Sequence, residues 1–226
     1  MKAIILAAGV GSRLGSPFPK SLSKLPNDES IMARQIRCLR KFGVCEIYTV
    51  VGFKMSLIME SFPEVFYKYN PTYYITNTSK SLLTAIENIH DDIIWLNADV
   101  VFDENALEKI INQPAGNYMA VNNSKCGDEE VKYTLNNQGF INQVSKQVKN
   151  PLGEAVGINR VCKEDLDEFK QALASVDDQD YFEKGIEIMI DNGRVFKATD
   201  ISEFRCIEVD FEDDLKEALN LFSDLK

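Results

Sequence analysis

Short apolar runs alternate with stretches of helical periodicity through the first half of the chain. The runs predict buried strands, and the periodic stretches that separate or follow them predict helices. The strands are expected at residues 2–6, 45–51, 65–69 and 93–96, and the helices at 31–42, 55–61, 82–89 and 104–111. This alternation is typical of a parallel sheet whose strands are joined by crossover helices.

The pattern changes after about residue 117. Four short strand patterns follow, separated by turn signals such as Asn136-Asn137-Gln138-Gly139, and they indicate an antiparallel portion. Helical patterns then return. The strands are expected at 118–122, 131–135, 140–144 and 156–160, and the helices at 164–174, 181–190 and 213–222. We expect one α/β domain over residues 1–226, with a mixed, mainly parallel sheet flanked by helices and a small antiparallel β portion.

Composition narrows the class of protein. The 226 residues are 45% hydrophobic and 27% charged, which is ordinary for a globular domain. We find no signal-peptide pattern and no apolar run of the roughly 18–20 residues that a membrane span needs, so a cytoplasmic protein is expected. The formal net charge of −10 disfavours nucleic acid and anionic membranes as partners. An anionic ligand would therefore need a local basic cluster.

The number and spacing of the cysteine and histidine residues exclude several kinds of site. The five cysteines are scattered, with no C-x-x-C pair, and are expected to be reduced and mostly in the core. The single histidine, His90, cannot by itself support a His-rich metal site or a catalytic triad. We expect it at the end of a helix.

The first predicted strand runs into a glycine-containing loop, Leu6-Ala7-Ala8-Gly9-Val10-Gly11-Ser12-Arg13-Leu14-Gly15, which is followed by Pro19-Lys20. A dinucleotide fingerprint would need a third glycine at Leu14, and a P-loop would need a glycine where Pro19 stands. The small residues still allow a ligand to approach the backbone, and Arg13 and Lys20 can bind phosphate oxygens. The alternative is a plain connection with two solvated cations.

A carboxylate follows the strand predicted at 93–96. Carboxyl ends of parallel strands are where α/β sheets bind ligands, and Mg²⁺ prefers carboxylate and phosphate oxygens. Asp99 is therefore a candidate Mg²⁺ ligand. The alternative role, capping the next helix, suits Asp103 better because Asp103 directly precedes that helix.

The loop residues Leu6 to Leu14, together with Pro19-Lys20, resemble the N-terminal signature of the nucleotidyltransferases that make sugar-nucleotide-like products. The resemblance implies their Rossmann-like fold, the nucleotide-diphospho-sugar transferase type. It also implies that the loop wraps a nucleoside triphosphate, with Arg13, Lys20 and Asp99 as catalytic residues. The nucleotide-binding positions implied in the loop are Leu6, Ala7, Ala8, Gly9, Gly11, Ser12, Arg13 and Lys20.

The segment Glu208-Val209-Asp210-Phe211-Glu212-Asp213-Asp214-Leu215 resembles the E-x-D-x-x-x-D-L stretch of the same family. By this resemblance Asp210 joins Asp99 in holding Mg²⁺, while Asp213 and Asp214 fit the first turn of the last helix. The implied reaction is attack of an acceptor phosphate oxygen on the α-phosphorus of the triphosphate, with release of pyrophosphate. A phosphate monoester, with its second pKa near ~6, is largely dianionic at neutral pH and needs no general base.

Asn77, Ser79 and Ser81 lie in a stretch similar to the N-x-x-Y-S-L region of the cytidylyltransferases that act on phosphocholine, and this implies contacts to CTP. The chain departs from that group at Ser79-Lys80, where the group carries aromatic residues. A helix cap at Thr78 or Ser79 is the structural alternative.

A lysine on a strand, a second lysine after the hairpin and then G-E-x-x-G-I, at Lys132, Lys146 and residues 153–158, resemble a pattern in cytidylyltransferases of phosphonate and related pathways. Tyr181-Phe182-Glu183 matches a stretch that helps close their pocket. Trp95 is expected in the core, which leaves no obvious aromatic cage for choline. Over its whole length the chain most resembles the phosphoglutamine cytidylyltransferases of capsule phosphoramidate synthesis, so L-glutamine phosphate is the leading acceptor. The positions implied to face the acceptor are Lys132, Lys146, Glu154, Gly157 and Tyr181.

Other functions stay open. Phosphocholine, 2-aminoethylphosphonate and a sugar 1-phosphate are alternative acceptors. An NAD(P)-binding oxidoreductase could use Gly9 and Gly11, although the required acidic residue, Glu29, would open a helix instead of ending a strand. A non-catalytic nucleotide sensor would keep the loop without the metal carboxylates. In the transferase hypothesis residues 1–116 bind nucleotide, residues 117–226 bind acceptor and supply the second metal ligand, and an oligomeric state is left open.

Overall fold

Eleven strands and seven helices make up the described part of the chain, which covers residues 1–15, 17–123, 126–127 and 129–225 of a computed structural model. The strands are β1 Lys2–Ala7, β2 Ile47–Val51, β3 Phe66–Tyr69, β4 Ile93–Asn97, β5 Val100–Phe102, β6 Asn117–Asn122, β7 Lys132–Leu135, β8 Ile141–Ser145, β9 Gly153–Val161, β10 Phe196–Asp200 and β11 Cys206–Glu208. The helices are α1 Ile31–Lys41, α2 Met55–Ser61, α3 Thr78–Ile86, α4 Glu104–Ile111, α5 Lys163–Ser175, α6 Phe182–Asp191 and α7 Glu212–Leu221.

One large sheet organises the molecule, in the order β10-β6-β9-β4-β1-β2-β3, with β7 and β8 attached beside β9. The strands β4, β1, β2 and β3 are parallel neighbours, and β6 and β10 form a second parallel pair. Strand β9 lies between these groups and is antiparallel to both. The predicted fold class, a mixed and mainly parallel sheet with a small antiparallel portion, is confirmed.

Alternate residues of β1 enter two different cores, because successive side chains of a strand point to opposite faces. Ala3 and Ile5 pack with α1, α2 and α4 on one face, whereas Ile4 and Leu6 pack with α3, α5 and α6 on the other. Both faces of β1 are therefore buried, which is why the strand is apolar throughout its length. Trp95 is in the core as predicted, with its ring 5.3 Å from that of Phe169 and 5.4 Å from that of Phe182.

Three strands were not predicted from the sequence. Strands β5 and β11 have three residues each and pair only with one another. Strand β10 has Lys197 and Asp200 exposed at the edge of the sheet, so it lacks a continuous apolar run. Their partners are distant in the sequence, and local periodicity does not identify them.

The pairing of β5 with β11 brings two distant turns together. The Val209 amide donates to the Asp99 carbonyl oxygen at 2.9 Å, next to the end of this ladder. From the other side, the buried Gln35 side chain of α1 donates to the carbonyl oxygens of Asn97 and Val100, both at 2.9 Å. The turn that carries Asp99 is thus held at a fixed distance from the segment that carries Asp210.

The cysteine prediction is confirmed in part. All five cysteines are reduced, as expected, but only Cys38 and Cys162 are buried, so the prediction of a mostly core location is wrong. His90 lies in the exposed connection that follows α3, past the end of the helix. None of the helices in the described ranges has the length and apolar composition that crossing a membrane requires.

Lys80, which stands where the similar cytidylyltransferases carry an aromatic residue, has a structural role. Its ammonium group donates to the carbonyl oxygens of Leu173, Ala174 and Val176, at 3.1, 3.3 and 2.6 Å. These carbonyls close the C-terminal end of α5, where a positive charge is favourable. Lys80 therefore fixes α3 to α5.

We expect Lys80→Met to lower the free energy of unfolding by about 1–2 kcal/mol, because it leaves these carbonyl oxygens without their donor. Denaturant titration measures the change. Lys163→Met is the matched control: its side chain is exposed and reaches only Glu164, at 3.8 Å, so a change below about 0.5 kcal/mol is expected. Equal effects of the two substitutions would contradict the capping role.

Candidate active site

A cleft of about 570 Å³ opens at the carboxyl ends of the neighbouring parallel strands β1 and β4. Ligands of open α/β sheets bind at this edge. The glycine-containing loop forms one side of the cleft, and Leu6, Ala7, Gly9 and Gly11 line it. Ala8 was also predicted to bind nucleotide, but it is buried and its carbonyl oxygen accepts from the Phe53 amide at 3.0 Å. The side chain of Ser12, another predicted contact, lies outside the described part of the structure.

Two glycines shape the loop in different ways. Gly11 has φ of +62°, and a Cβ atom there would lie 2.8 Å from Cγ of Lys20, so a side chain would displace that lysine. A Cβ atom at Gly9 would meet nothing within 4 Å. The fold therefore does not require a glycine at position 9, and the open space above it is available to a ligand.

Three carboxylates converge beside the loop. Asp99, Glu208 and Asp210 each offer an oxygen within 4.8 Å of the others. The Asp214 carboxylate accepts from the backbone amides of Asp210 and Phe211, at 2.9 and 2.7 Å, which fixes the turn that carries Asp210. An arrangement of this kind suits a hard divalent cation, because such ions take carboxylate oxygens as ligands.

The two predicted cations lie against this trio. Lys20 Nζ contacts Asp210 and lies 3.7 Å from the Asp99 carboxylate. Arg13 donates to the other oxygen of Asp210 at 3.1 Å and lies 3.8 Å from Glu129. The structure thus brings the predicted catalytic residues Arg13, Lys20 and Asp99 together with the predicted metal ligand Asp210.

Burial and mutual repulsion raise the pKa values of two of these carboxylates. Burial raises the pKa of Asp99 to about 6, with Asp210 adding repulsion and Lys20 opposing it. Glu208 as a residue is exposed, yet protein atoms crowd its carboxyl group. This loss of solvation, together with the charges of Asp99 and Asp210, raises the pKa of Glu208 to about 8. A divalent cation at this point would offset the repulsion.

Glu208 is the site residue that the sequence analysis missed. It stands two positions before Asp210 in the E-x-D pattern, and residues i and i+2 of an extended segment point to the same side. This spacing is the signal that could have identified it. The structure therefore extends the candidate metal centre from two carboxylates to three.

The predicted base-binding segment is placed differently from expectation. Asn77 caps α3 by accepting from the Thr78 amide at 2.8 Å, so the predicted cap at Thr78 or Ser79 is wrong. Ser79 is fully buried, and Ser81 accepts from Asn70 at 3.0 Å. Within this segment Thr78 lines the cleft, whereas Asn77, Ser79 and Ser81 support the helix.

Four of the five residues predicted to face the acceptor line the cleft: Lys146, Glu154, Gly157 and Tyr181. Gly157 has φ of +70°, and a Cβ atom there would lie 2.7 Å from the Asn97 side-chain nitrogen, so this close approach requires glycine. Lys132 is not part of the lining, and its ammonium donates to the Lys146 carbonyl oxygen at 3.1 Å. Its role is to fix the backbone beside Lys146.

The family comparison completes the description. The model of the MobA-like NTP transferase domain matches residues 3–178. The chain belongs to this nucleotidyltransferase family. Among curated relatives it is 33% identical over 129 residues to CMP-5'-(3-aminopropyl)phosphonate synthase of Streptomyces rubellomurinus, covering 53% of this chain and 20% of the relative. It is 32% identical over 170 residues to Bifunctional protein GlmU of Methanococcus maripaludis, covering 71% of this chain and 38% of the relative.

Solved structures show the same fold. The inositol-1-phosphate CTP transferase from T. maritima superposes with a TM-score of 0.81 at 17% identity, covering 99% of this chain and 96% of the other. The CTP:phosphocholine cytidylyltransferase from Streptococcus pneumoniae gives a TM-score of 0.79 at 18% identity, covering 98% of each chain. The curated relatives are longer, and the chain spans only about a fifth and two fifths of the two named above.

The carboxylate trio predicts a stability that depends on pH and Mg²⁺. The pKa of Glu208 in the folded protein is raised above its ordinary value to about 8. The free energy of unfolding therefore falls as pH rises from the ordinary pKa of a glutamate to about 8, because ionisation of Glu208 is less favourable in the folded state. Without metal, Glu208→Gln should therefore raise the melting temperature at pH 9 and leave it nearly unchanged at pH 4.5. With excess Mg²⁺ at pH 9 the stabilisation by metal should be larger for the wild type.

The matched control is Glu212→Gln, an exposed glutamate whose partner is Lys216 at 3.4 Å. It should change neither the pH dependence nor the response to Mg²⁺. If Glu208→Gln responds to Mg²⁺ as strongly as the wild type does, Glu208 is not part of a metal centre.

Proposed function

We propose that this chain is a cytidylyltransferase, in which a small phosphorylated acceptor attacks the α-phosphorus of CTP with the help of Mg²⁺. The products are a CDP-linked compound and pyrophosphate. The observation that carries the proposal is the convergence of Lys20 and Arg13 with the three carboxylates at the mouth of the glycine-containing loop. Family membership supports nucleotidyl transfer. Two solved structures of similar fold are named as transferases that use CTP, and this supports CTP as the nucleotide.

The donor set of Asp99, Glu208 and Asp210 fits Mg²⁺, and we assign these three residues as its ligands. Bound there, Mg²⁺ would neutralise triphosphate charge and polarise the reacting phosphate. Lys20 and Arg13 now contact Asp210, and a bound triphosphate would compete for both. Arginine can clamp two phosphate oxygens and lysine supplies a compact charge, so the two side chains would orient the triphosphate and stabilise the charge that develops on it.

The reaction needs no histidine. The nucleophile is an acceptor phosphate oxygen that is already ionised at neutral pH, so no side chain has to remove a proton. The work of the chain is to hold the acceptor phosphate in line with the bond that breaks. Residues 1–116 would bind the nucleotide, with the loop and Thr78 at its surface, and residues 117–226 would bind the acceptor within one domain.

L-glutamine phosphate is the leading acceptor. With this acceptor, the enzyme would work in the cytoplasm in capsule phosphoramidate synthesis. The opposite charges of Lys146 and Glu154 in the cleft support a small acceptor with both an anionic and a cationic group. The alternatives are phosphocholine, 2-aminoethylphosphonate and a sugar 1-phosphate. The sequence similarity to CMP-5'-(3-aminopropyl)phosphonate synthase favours an acceptor with an amino group over a sugar.

The direct test is pyrophosphate release with each of the four ribonucleoside triphosphates, Mg²⁺ and a panel of these acceptors. We expect release with CTP and an amino-group acceptor, abolished in Asp99→Asn. Release with a sugar 1-phosphate alone would keep the reaction and overturn the acceptor. If no acceptor gives release and CTP–Mg²⁺ does not raise the melting temperature, the proposed function is wrong.

Lys20→Ala should lower kcat about 100–1000-fold, because it removes a fixed charge from the reacting phosphates. Initial-rate measurements at saturating CTP check the effect, and melting curves in Mg²⁺ establish that the variant is folded. Lys24→Ala is the control, since Lys24 is exposed and reaches only Asp28, and it should keep normal turnover. Near-normal turnover of Lys20→Ala would contradict the assignment.

A further inference from the structure

One oxygen of a buried carboxylate in the cleft has no hydrogen-bond partner among the described residues. Glu183 lies in the first turn of α6 and lines the cleft, but it is only 7% exposed. Its Oε2 atom accepts no hydrogen bond from the part of the chain that the structure describes, and burial raises the pKa of the carboxyl group to about 7. Leaving a carboxylate oxygen buried and unsatisfied costs free energy, so such a group in a native protein calls for an explanation.

A structural explanation accounts for Glu183 only in part. An acidic residue near a helix N-terminus is favourable, but an exposed position gives that benefit without the loss of solvation. Packing alone would be met by an apolar residue, as it is by the neighbouring Phe182, which is buried against Trp95. The orphaned oxygen therefore points to a ligand.

The surroundings of Glu183 define the chemistry of that ligand. Lys146 is the nearby cation that opposes the rise in its pKa, and the Lys146 ammonium lies 5.2 Å from the centre of the Tyr181 ring and 3.4 Å from Glu129. Among the described residues the cleft is lined by three cations and nine carboxylates. The cations are Arg13, Lys20 and Lys146, and the carboxylates are Asp99, Glu129, Glu130, Glu154, Glu183, Glu208, Asp210, Asp214 and Glu217.

A cleft this acidic would repel an acceptor that carries only its phosphate, even after a metal ion is bound. An acceptor that also carries a positive group would reduce the repulsion. A quaternary ammonium has no N–H to give to Oε2, and a sugar hydroxyl brings no charge. A primary ammonium supplies both a charge and a donor, and charge-assisted hydrogen bonds to carboxylates are the stronger ones.

We propose that Glu183 recognises a primary ammonium group of the acceptor, while Lys146 on the adjoining wall binds an anionic group of the same molecule. The substrate class is then a phosphorylated or phosphonate compound with a zwitterionic, amino-acid-like end. This inference rests on the proposed function and adds the residue that selects the acceptor.

The test compares two matched pairs of acceptors with CTP–Mg²⁺: L-glutamine phosphate and its analogue without the α-amino group, and 2-aminoethylphosphonate and ethylphosphonate. The wild type should prefer the amine-bearing member of at least one pair by tenfold or more in kcat/KM. Glu183→Gln should abolish that preference by raising KM for the amine-bearing acceptor at least tenfold. It should leave KM for CTP and turnover of the amine-free partner unchanged.

Glu187→Gln, one turn further along α6, removes the same charge from a residue that pairs with Lys184 and should have no such effect. Melting temperature supplies an independent readout: a carboxylate whose unpaired oxygen serves a ligand should be replaced without loss of stability, whereas a structural one should not.

The failures are distinguishable. Turnover with amine-free acceptors alone, or an equal loss for both members of a pair in Glu183→Gln, overturns the role of Glu183 and leaves the transferase intact. Absence of pyrophosphate release with every acceptor, together with no stabilisation by CTP–Mg²⁺, overturns the proposed function itself.

Discussion

The close approach of Asp99, Glu208 and Asp210 is the constraint on which this site depends. Like charges at this distance repel, and burial together with that repulsion raises the pKa values of Asp99 and Glu208. Lys20 and Arg13 counter it by contacting Asp210. A metal ion and a triphosphate together would satisfy both sets of charges.

The fold provides this constraint through connections between distant segments. Strands β1 and β4 place the loop and Asp99 side by side, because carboxyl ends of neighbouring parallel strands meet at one edge. The pairing of β11 with β5 then brings Glu208 and Asp210 to that edge from far along the chain. Asp214 fixes the turn that carries Asp210 by accepting from its backbone amide. Gln35 fixes the turn that carries Asp99 by donating to two backbone carbonyl oxygens. Rigid positioning of this kind is what phosphoryl-type transfer requires of a protein.

Much of this was predictable, and the exceptions have physical causes. The elements of the first half follow from apolar runs and helical periodicity, since β1 is buried on both faces and α1 on one. The loop, Asp99 and Asp210 follow from a motif of fixed order. Strands β5 and β11 could not be found, because three-residue strands are defined by their partner and not by their own pattern.

The missed and misplaced site residues depend on tertiary contacts. Lys132 and Ser81 have side chains that could bind a ligand. However, Lys132 donates to the carbonyl oxygen of Lys146. Ser81 accepts from the side-chain amide of Asn70. Glu183 lay in a recognised stretch, yet the burial of its unpaired oxygen is visible only when the helix is packed against the cleft. Sequence patterns thus identified the kind of chemistry, and packing decided which side chains are free to perform it.

The most direct test of the central claim is a crystal structure with Mg²⁺ and a CTP analogue that cannot release pyrophosphate. The account predicts a metal ion bound by Asp99, Glu208 and Asp210, with Lys20 and Arg13 moved from Asp210 to phosphate oxygens. A triphosphate bound elsewhere, or bound in the cleft while Lys20 and Arg13 keep their contacts with Asp210 and no metal joins the three carboxylates, would contradict it.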